Sequence, residues 1–323
     1  MPGGEIILDA ALSQGVALPH QCRGASCGTC KAKVLEGAVD HGWALGLAIT
    51  DQEQSDGFCL MCQARPITDR LTLETVQPLP GSDAAPIVSF DAQVLTNEPI
   101  TPRVRRLVLE VPREVSFRAN AGSYLELALP GVFPNRRYSL STVRAEQALI
   151  ELLVARHPDG VASCYVHDIL QPGDFVGVRG PFGTCHLPAG SGPVLGLAGG
   201  TGLAPVFSIL EQALLLGDTS PMTLLLSVRE DSELMLLDRL AGLSRAHENF
   251  RYVPLVTETA SRFCTRRQYA PSWLREQFTD LSQYRAVVGG SPGFVLACSD
   301  ACITQGMPRA AISADSFTAV TDG

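Results

Sequence analysis

Cys22-Arg-Gly-Ala-Ser-Cys27-Gly-Thr-Cys30 places three thiols within nine residues, separated by two glycines and two hydroxyls. The spacing Cys-x4-Cys-x2-Cys suits a [2Fe–2S] cluster, which takes four thiolates. A tight loop delivers three of them from one side, and its glycines let backbone N–H groups approach the negatively charged sulfides. The fourth thiolate comes from elsewhere, and Gly57-Phe-Cys59-Leu-Met-Cys62-Gln-Ala-Arg-Pro66 offers Cys59 and Cys62. Such a loop is a one-electron centre, so the remainder of the chain is expected to feed it electrons.

The rival reading is zinc. Cys27-x2-Cys30 and Cys59-x2-Cys62 form two CxxC pairs, as in a ribbon or knuckle. It leaves Cys22 without a role and ignores the glycine-rich character of the first loop, so the cluster is favoured. A zinc-bearing interaction module stays as the alternative from another functional class.

The chain has 323 residues, enough for about two domains at ~150 residues each. It is 46% hydrophobic with 30 Gly and 22 Pro, the profile of a packed protein with many turns. A net charge of −8 argues against a nucleic-acid or anionic-membrane partner. Residues 1–80 carry 5 basic and 9 acidic side chains, the most acidic portion per residue, which suits docking to a basic protein patch. Ten cysteines in a chain of this length are not a disulfide framework. The first 15 residues lack a basic n-region and a cleavage-type site. Leu187–Leu210 is uncharged and long enough to span a bilayer, but its Gly199-Gly-Thr-Gly202 core and Pro205 fit a buried strand, turn and helix better. A cytoplasmic, soluble, monomeric protein is expected.

Within residues 1–80 the pattern predicts a short helix at Ile6–Leu12 and a strand at Lys31–Leu35. Thr50-Asp-Gln-Glu53 is a capping box opening a helix that ends at Gly57, and Leu71–Val76 alternates as a closing strand. Gln77-Pro-Leu-Pro-Gly-Ser-Asp-Ala-Ala-Pro86 is linker-like. Six short strands follow: Ile87–Leu95, Val104–Val111, Tyr124–Leu129, Arg137–Ser141, Leu149–Ala155 and Phe175–Val178. With one helix at Val161–Leu170, they predict a small antiparallel barrel. Strands at Pro193–Ala198, Met222–Val228, Phe250–Val256, Arg285–Val288 and Ala310–Ile312 then alternate with helices at Leu203–Leu216, Ser232–His247, Pro271–Phe278 and Phe294–Gln305. That order predicts a parallel sheet covered on both faces, with nucleotide bound at the strand carboxyl ends.

Three stretches carry binding chemistry. Strand alternation sends Arg136 and Tyr138 to one face, a planar cation and an aromatic suited to a flavin nucleotide. Gly160-Val161-Ala162-Ser163 opens a helix whose bare N–H groups suit a pyrophosphate. Gly199-Gly200-Thr201-Gly202-Leu-Ala204-Pro205 is not G-x-G-x-x-G, yet it offers the same bare backbone and helix N-terminus. Ser227-Val-Arg229-Glu230-Asp231 ends the next strand. Arg229 suits a 2′-phosphate and Asp231 a ribose hydroxyl, which leaves NADPH and NADH both open. Cys298 and Cys302 lie four apart on a helix and read as buried packing.

Residues 1–78 resemble a plant-type ferredoxin domain of β-grasp fold, whose last ligand is the cysteine of a Cys-Gln-Ala-x-Pro stretch. That resemblance makes Cys22, Cys27, Cys30 and Cys62 the metal ligands and Cys59 an extra buried thiol. The family has a hairpin before the helix at 6–12, roughly 15 residues for two average strands and a turn. Its apparent lack here is expected to leave the 71–76 strand without a neighbour and a sheet edge exposed. Met1 is then read as an internal start, or the chain as clipped, and cluster stability comes into question.

Residues 87–190 resemble the FAD-binding barrel of the ferredoxin–NADP reductase superfamily, and residues 191–323 its α/β Rossmann-like NAD(P) domain, joined to the first domain by a linker at 79–86. The resemblance implies that Arg136 binds the FAD pyrophosphate, Tyr138 stacks on the isoalloxazine and Ser139 approaches its N5. Gly160, Val161, Ala162 and Ser163 hold phosphate. It also assigns Gly199 to Pro205 to the nicotinamide nucleotide, and aligns Gly289-Gly290-Ser291-Pro292 with the family's Cys-Gly-Pro-Pro loop, Gly289 replacing Cys and Ser291 replacing Pro. Phe317 falls in the terminal region that can cover the flavin, or is an apolar plug. The whole is similar to the three-domain reductase components of multicomponent aromatic-ring oxygenases. It implies electron flow from NADH (NADPH possible) through FAD and the [2Fe–2S] cluster to a terminal oxygenase component or other protein acceptor, without a side-chain acid or base. The alternatives are a deoxysugar dehydratase system or free flavin as acceptor.

Overall fold

The computed structural model describes residues 4–42, 48–77, 85–144, 148–258 and 268–317. The expected linker lies outside these except for residues 85 and 86. The described chain forms two compact units, one from residues 4–77 with 182–184 and 316–317, the other from 85–181 with 185–315.

In the first unit, helix α1 (Ile7–Ser13) buries Ile7, Leu8, Ala10 and Leu12. Strand β1 (Lys31–Glu36) and the short β2 (Val39–Asp40) follow, then α2 (Asp51–Ser55), β3 (Phe58–Leu60), β4 (Arg65–Pro66) and β5 (Thr72–Thr75). A sheet of order β3-β1-β5 forms, with β2 and β4 paired separately. The strand expected to lack a neighbour has one: β5 pairs antiparallel with β1, Thr75 opposite Ala32 and Leu73 opposite Val34. Its other edge is unpaired among the described residues. The predicted capping box is formed in full. Glu53 N–H donates to Thr50 Oγ1 at 3.1 Å and Thr50 N–H to Glu53 Oε2 at 2.9 Å. The helix closes at Asp56, and Gly57 turns the chain at φ +87°.

The second unit opens with β6 (Val88–Thr101), β7 (Val104–Glu110), β8 (Tyr124–Ala128), β9 (Arg136–Arg144), β10 (Leu149–Ala155), helix α3 (Val161–Asp168) and β11 (Phe175–Phe182). The six strands close into a barrel in the order β10-β7-β6-β11-β8-β9. Alternate residues fill it: Ala92 and Val94, Leu107 and Leu109, Leu125 and Leu127, Ile150, Leu152 and Val154, Val176 and Val178. Ala162 and Val166 of α3 join the same core. Each buried Val, Leu or Ile among them contributes about 1.5–3 kcal/mol by leaving water, which is why a period of two closes the barrel.

The sheet that follows contains β12 (Val194–Gly199), β13 (Met222–Val228), β14 (Phe250–Val256), β15 (Arg285–Gly290) and β16 (Ile312–Ser316) in the order β14-β13-β12-β15-β16. The pairs β12–β13, β12–β15 and β13–β14 are parallel. Helices α4 (Leu203–Leu215), α5 (Leu237–Ala246), α6 (Ala270–Gln277) and α7 (Pro292–Thr304) cover it. Met222, Leu224, Leu226 and Val228 of β13 share one core with α4 and α5, while Leu225 joins α6 and α7 on the opposite face. Every residue of β13 is buried, as a strand covered on both faces requires. Among the described residues, no helix is long and apolar enough to cross a membrane.

Several predicted boundaries move: β6 runs six residues past Leu95 to Thr101, β9 extends to Arg144 and β11 to Phe182, and two elements shift more fundamentally. The helix expected from Ser232 starts at Leu237, because Asp231–Glu233 forms a separate 3-10 turn and Leu236 takes a left-handed φ of 55°. The strand expected at Ala310–Ile312 is a 3-10 turn at Arg309–Ala311, and the strand begins at Ile312. Ala314 and Asp315 lie buried there, so apolar content alone misplaced it.

Candidate cofactor sites

Within the first unit, the cysteine loop is bent by three left-handed residues, Arg23 (φ 50°), Ala25 (φ 55°) and Gly28 (φ 75°). Two of them are not glycine, and such backbone strain collects where a loop must aim its N–H groups inward. Gly24 and Ser26 both donate their N–H to Cys22 Sγ at 3.4 Å. Cys22, Cys27, Cys30 and Cys62 are all nearly buried. They lie as two pairs. A hydrogen bond from Cys27, with those from Ser26 and Gly24, holds Cys22 at about 5 against burial, while Cys27 is pushed well up. Cys62 is likewise lowered, chiefly by Cys30, which is itself raised.

Two thiols for each of two irons is the demand of a [2Fe–2S] cluster. No three His, Cys, Asp or Glu side chains of the described residues gather as a single ion requires. The zinc reading, which puts four ligands on one ion, does not account for this pairing. Cys59 is fully buried on β3, its thiol pushed up to about 11 by burial, then by nearby Cys62. Gln63 Nε2 donates to Arg23 O at 3.2 Å and tethers the loop to the Cys62 segment.

On the barrel, Arg136 and Tyr138 occupy alternate positions of β9, close enough for the guanidinium to act on the phenol. Burial outweighs that cation and pushes Tyr138 up to about 12, so the ring is neutral. Gly160 caps α3 without any side-chain hydrogen bond. A Cβ there would lie 2.8 Å from Ser163 Oγ and 2.9 Å from His157 Cβ. Ser163 turns its hydroxyl back to Gly160 O (3.0 Å), so it does not cap the first-turn N–H groups of the helix. This bare helix end fits a phosphate.

Ser139 is buried and donates to Asp315 Oδ2 at 2.8 Å. Asp315 is 4% exposed on β16, in the terminal stretch with Phe317, but its pairing with Ser139 is invisible in sequence because 176 residues separate the two and nothing local marks them. Cys185 lies close by, its Sγ 3.3 Å from Ser313 Oγ, with its thiol raised to about 12 by burial and by the Asp315 charge.

On the sheet, Gly199 ends β12, Gly200–Gly202 forms a 3-10 turn with Gly200 at φ +53°, and α4 begins with Leu203, Ala204 and Pro205, all buried. Thr201 is partly exposed beside them. A Cβ on Gly202 would lie 2.2 Å from Gly289 O, and one on Gly289 2.5 Å from Gly202 O. The two loops thus cross backbone on backbone, and glycine at 289 is a packing requirement here. Gly290 takes φ +152° under the Phe294 ring. Ser291, in the family's proline position, caps α7 by accepting from Phe294 N–H at 3.4 Å. Arg229 is exposed at the end of β13 and engaged by Glu233, whose carboxylate accepts from the Arg229 N–H (3.0 Å) and guanidinium (3.4 Å). Asp231 sits in the turn between them. Phe317 is partly buried just past β16. Cys298 and Cys302 are fully buried in the α6–α7 core.

Three family profiles match the chain in series. They are the 2Fe-2S iron-sulfur cluster binding domain over residues 1–66, the oxidoreductase FAD-binding domain over 91–187 and the oxidoreductase NAD-binding domain over 197–300. The reductase subunit of an aromatic O-demethylase from Amycolatopsis sp. is 37% identical over 79% of this chain and 77% of its own length. The reductase component of a phenol 2-monooxygenase from Pseudomonas sp. is 34% identical over 79% of this chain and 72% of its own. Among solved structures, an Amycolatopsis cytochrome P450 reductase superposes with a TM-score of 0.83 at 32% identity, covering 98% of this chain and 95% of that one.

Proposed function

The chain belongs to the three-domain iron–sulfur flavoprotein reductases driven by NAD(P)H, and on that premise we propose its donor, acceptor and site residues. The donor is NADH and the acceptor is the oxygenase component of a multicomponent oxygenase acting on an aromatic compound. The protein works as a cytoplasmic monomer, with domains at 1–78, 87–190 and 191–323.

The observation that carries this reading is the pairing of the family match with three sites of matching chemistry: the paired thiols, the barrel strand bearing Arg136 and Tyr138 together with the α3 end that lacks a side-chain cap, and the crossed glycine loops. The names of the relatives, an aromatic O-demethylase subunit and a phenol monooxygenase component, support an aromatic pathway. The acidic balance of residues 1–80 supports docking to a basic partner surface. Glu233 supports NADH, because its carboxylate already answers the Arg229 cation and opposes a 2′-phosphate.

A flavin bound at these residues would supply hydride acceptance with single-electron release, and a cluster on the cysteines would supply one-electron transfer. The chain supplies alignment. Tyr138 gives a neutral aromatic face, Arg136 and the α3 N-terminus balance phosphate charge, and Asp315 fixes the direction of the Ser139 hydroxyl. Gly202 and Gly289 let the two loops cross backbone on backbone, and Gly200, with nothing within 4 Å of an added Cβ, leaves the end of β12 open to a nucleotide. Cys22, Cys27, Cys30 and Cys62 would hold the cluster.

Paired acceptor assays test the reading. NADH-driven ferricyanide reduction draws on the flavin, whereas cytochrome c reduction draws on the cluster. Cys62→Ser is expected to abolish the second and the visible cluster absorbance while retaining the first; Cys59→Ser is expected to retain both. Loss of cluster absorbance in Cys59→Ser with retention in Cys62→Ser would reverse the ligand assignment.

A further inference from the structure

Arg239 projects from α5 in the nucleotide layer, yet its guanidinium is committed to the barrel. Nη1 donates to Glu151 Oε1 of β10 at 2.6 Å, and Nη2 to Thr142 Oγ1 of β9 at 2.5 Å. On its own side, Nη2 lies 3.5 Å from Glu211 Oε1 of α4, and the cation sits 4.8 Å above the Phe207 ring one turn earlier. Glu151 is shared further, accepting from Ser141 Oγ at 2.5 Å and facing Arg106 Nη1 at 3.7 Å. Arg106 is also paired with Glu98, so three carboxylates (Glu98, Glu151 and Glu211) and two guanidinium groups form one connected network here. Ser141 and Thr142 are buried and the side chains of Glu151 and Arg239 mostly so.

The barrel strand at this point is irregular. Thr142 pairs with Glu151, but Leu140 pairs with Leu152, so Ser141 is an extra residue in a β-bulge. Bulges re-aim side chains beside active sites, and this one lets Ser141 and Thr142 both serve the Glu151–Arg239 pair. Two residues back on the same strand stands Ser139, and one more gives Tyr138. The clamp therefore grips the strand that carries the flavin-facing residues.

We propose that Arg239 is a positioning residue for hydride transfer, setting the depth at which the nicotinamide held by α4 meets the flavin held by β9. The inference rests on the flavin placement at Tyr138–Ser139. Apolar contacts join the same two layers, with Val104, Ala121 and Leu153 of the barrel in one core with α4, but such contacts have no direction and permit sliding. A forked guanidinium bonded to two strands fixes both translation and rotation. Hydride transfer needs this precision, since a misplacement of about 1 Å costs about 100-fold in rate. Lysine keeps the charge but, as a point donor on a flexible stem, cannot span Glu151 and Thr142 while stacking on Phe207.

Stopped-flow reduction of the holoenzyme tests the proposal with Arg239→Lys, Thr142→Val and Glu151→Gln. Flavin bleaching at saturating NADH is expected to slow about 10- to 100-fold in Arg239→Lys and less in the other two. The long-wavelength nicotinamide–flavin charge-transfer band is expected to weaken, the 4-deuterium isotope effect to be fully expressed, and the NADH dissociation constant to stay within about threefold. FAD content, cluster absorbance and cytochrome c reduction by the dithionite-reduced enzyme are expected to match wild type. If Arg239→Lys loses FAD, the two milder variants carry the same test. Limiting rates within twofold of wild type, or a change confined to NADH affinity, would overturn the positioning role. Unchanged FAD affinity in Tyr138→Ala would instead overturn the flavin placement beneath it.

Discussion

Gly289 shows how a departure from family pattern becomes intelligible at atomic distance. The family has cysteine there, and its absence reads in sequence as a lost contact to the nicotinamide. In the fold, residue 289 passes so close to Gly202 that a Cβ would stand 2.5 Å from a carbonyl oxygen. Gly289→Cys is therefore expected to weaken NADH binding or the fold, measured by NADH titration and thermal melting, and Gly202→Ala to do so more severely at 2.2 Å. Glu233 carries a second prediction at this scale. Its carboxylate holds Arg229 and opposes a third negative charge on the nucleotide. Glu233→Gln keeps the acceptor for the Arg229 N–H but removes the charge, so the ratio of kcat/KM for NADPH over NADH is expected to rise about tenfold. A ratio unchanged in steady-state assays would remove Glu233 from cofactor choice.

Among the elements, α2 is the one whose local rules are complete in the sequence. Its capping box is closed on both sides, and Glu53 also pairs with Lys31 Nζ of β1 at 2.5 Å. Thr50→Ala is expected to cost about 1 kcal/mol, read as an earlier urea midpoint for loss of cluster absorbance. The acid response follows from Glu53. Burial pushes its carboxyl up, but Lys31 and the Thr50 N–H outweigh that and leave it below the ordinary 4.5. A lowered folded pKa contributes stability above the unfolded value and loses it as pH falls through the folded one. The stability difference between wild type and Glu53→Gln is thus expected to shrink below pH 4.5. Helix α5 is the contrary case: the apolar period suggested an earlier start, and the left-handed Leu236 delayed it.

For the molecule as a whole, thiol chemistry separates packing from function. Cys59, Cys185, Cys298 and Cys302 are buried, with their thiols raised by burial. Cys164 on α3 is partly exposed. Site-resolved alkylation of the native holoenzyme near neutral pH is expected to modify Cys164 first among the described cysteines and to spare Cys298 and Cys302 until unfolding. Early labelling of Cys298 would show that the α6–α7 core opens locally.

Local spacing and periodicity are enough to specify the cysteine loop, the existence of six barrel strands, the strand–helix alternation that makes a parallel sheet and the glycine turn at 199–202, because each depends on residues close in the chain. The partners of those elements are not local. That Asp315 meets Ser139, that Gly289 must stay bare for Gly202, and that Arg239 reaches from a helix to two barrel strands are contacts across 176, 87 and 97 residues. The cysteine loop shows both sides of this division. Its three thiols and glycines declare an iron–sulfur site in nine residues, but only folding brings Cys62 beside Cys30 and divides the four thiols into two pairs, because hydrogen bonding acts over ångströms and is blind to sequence separation.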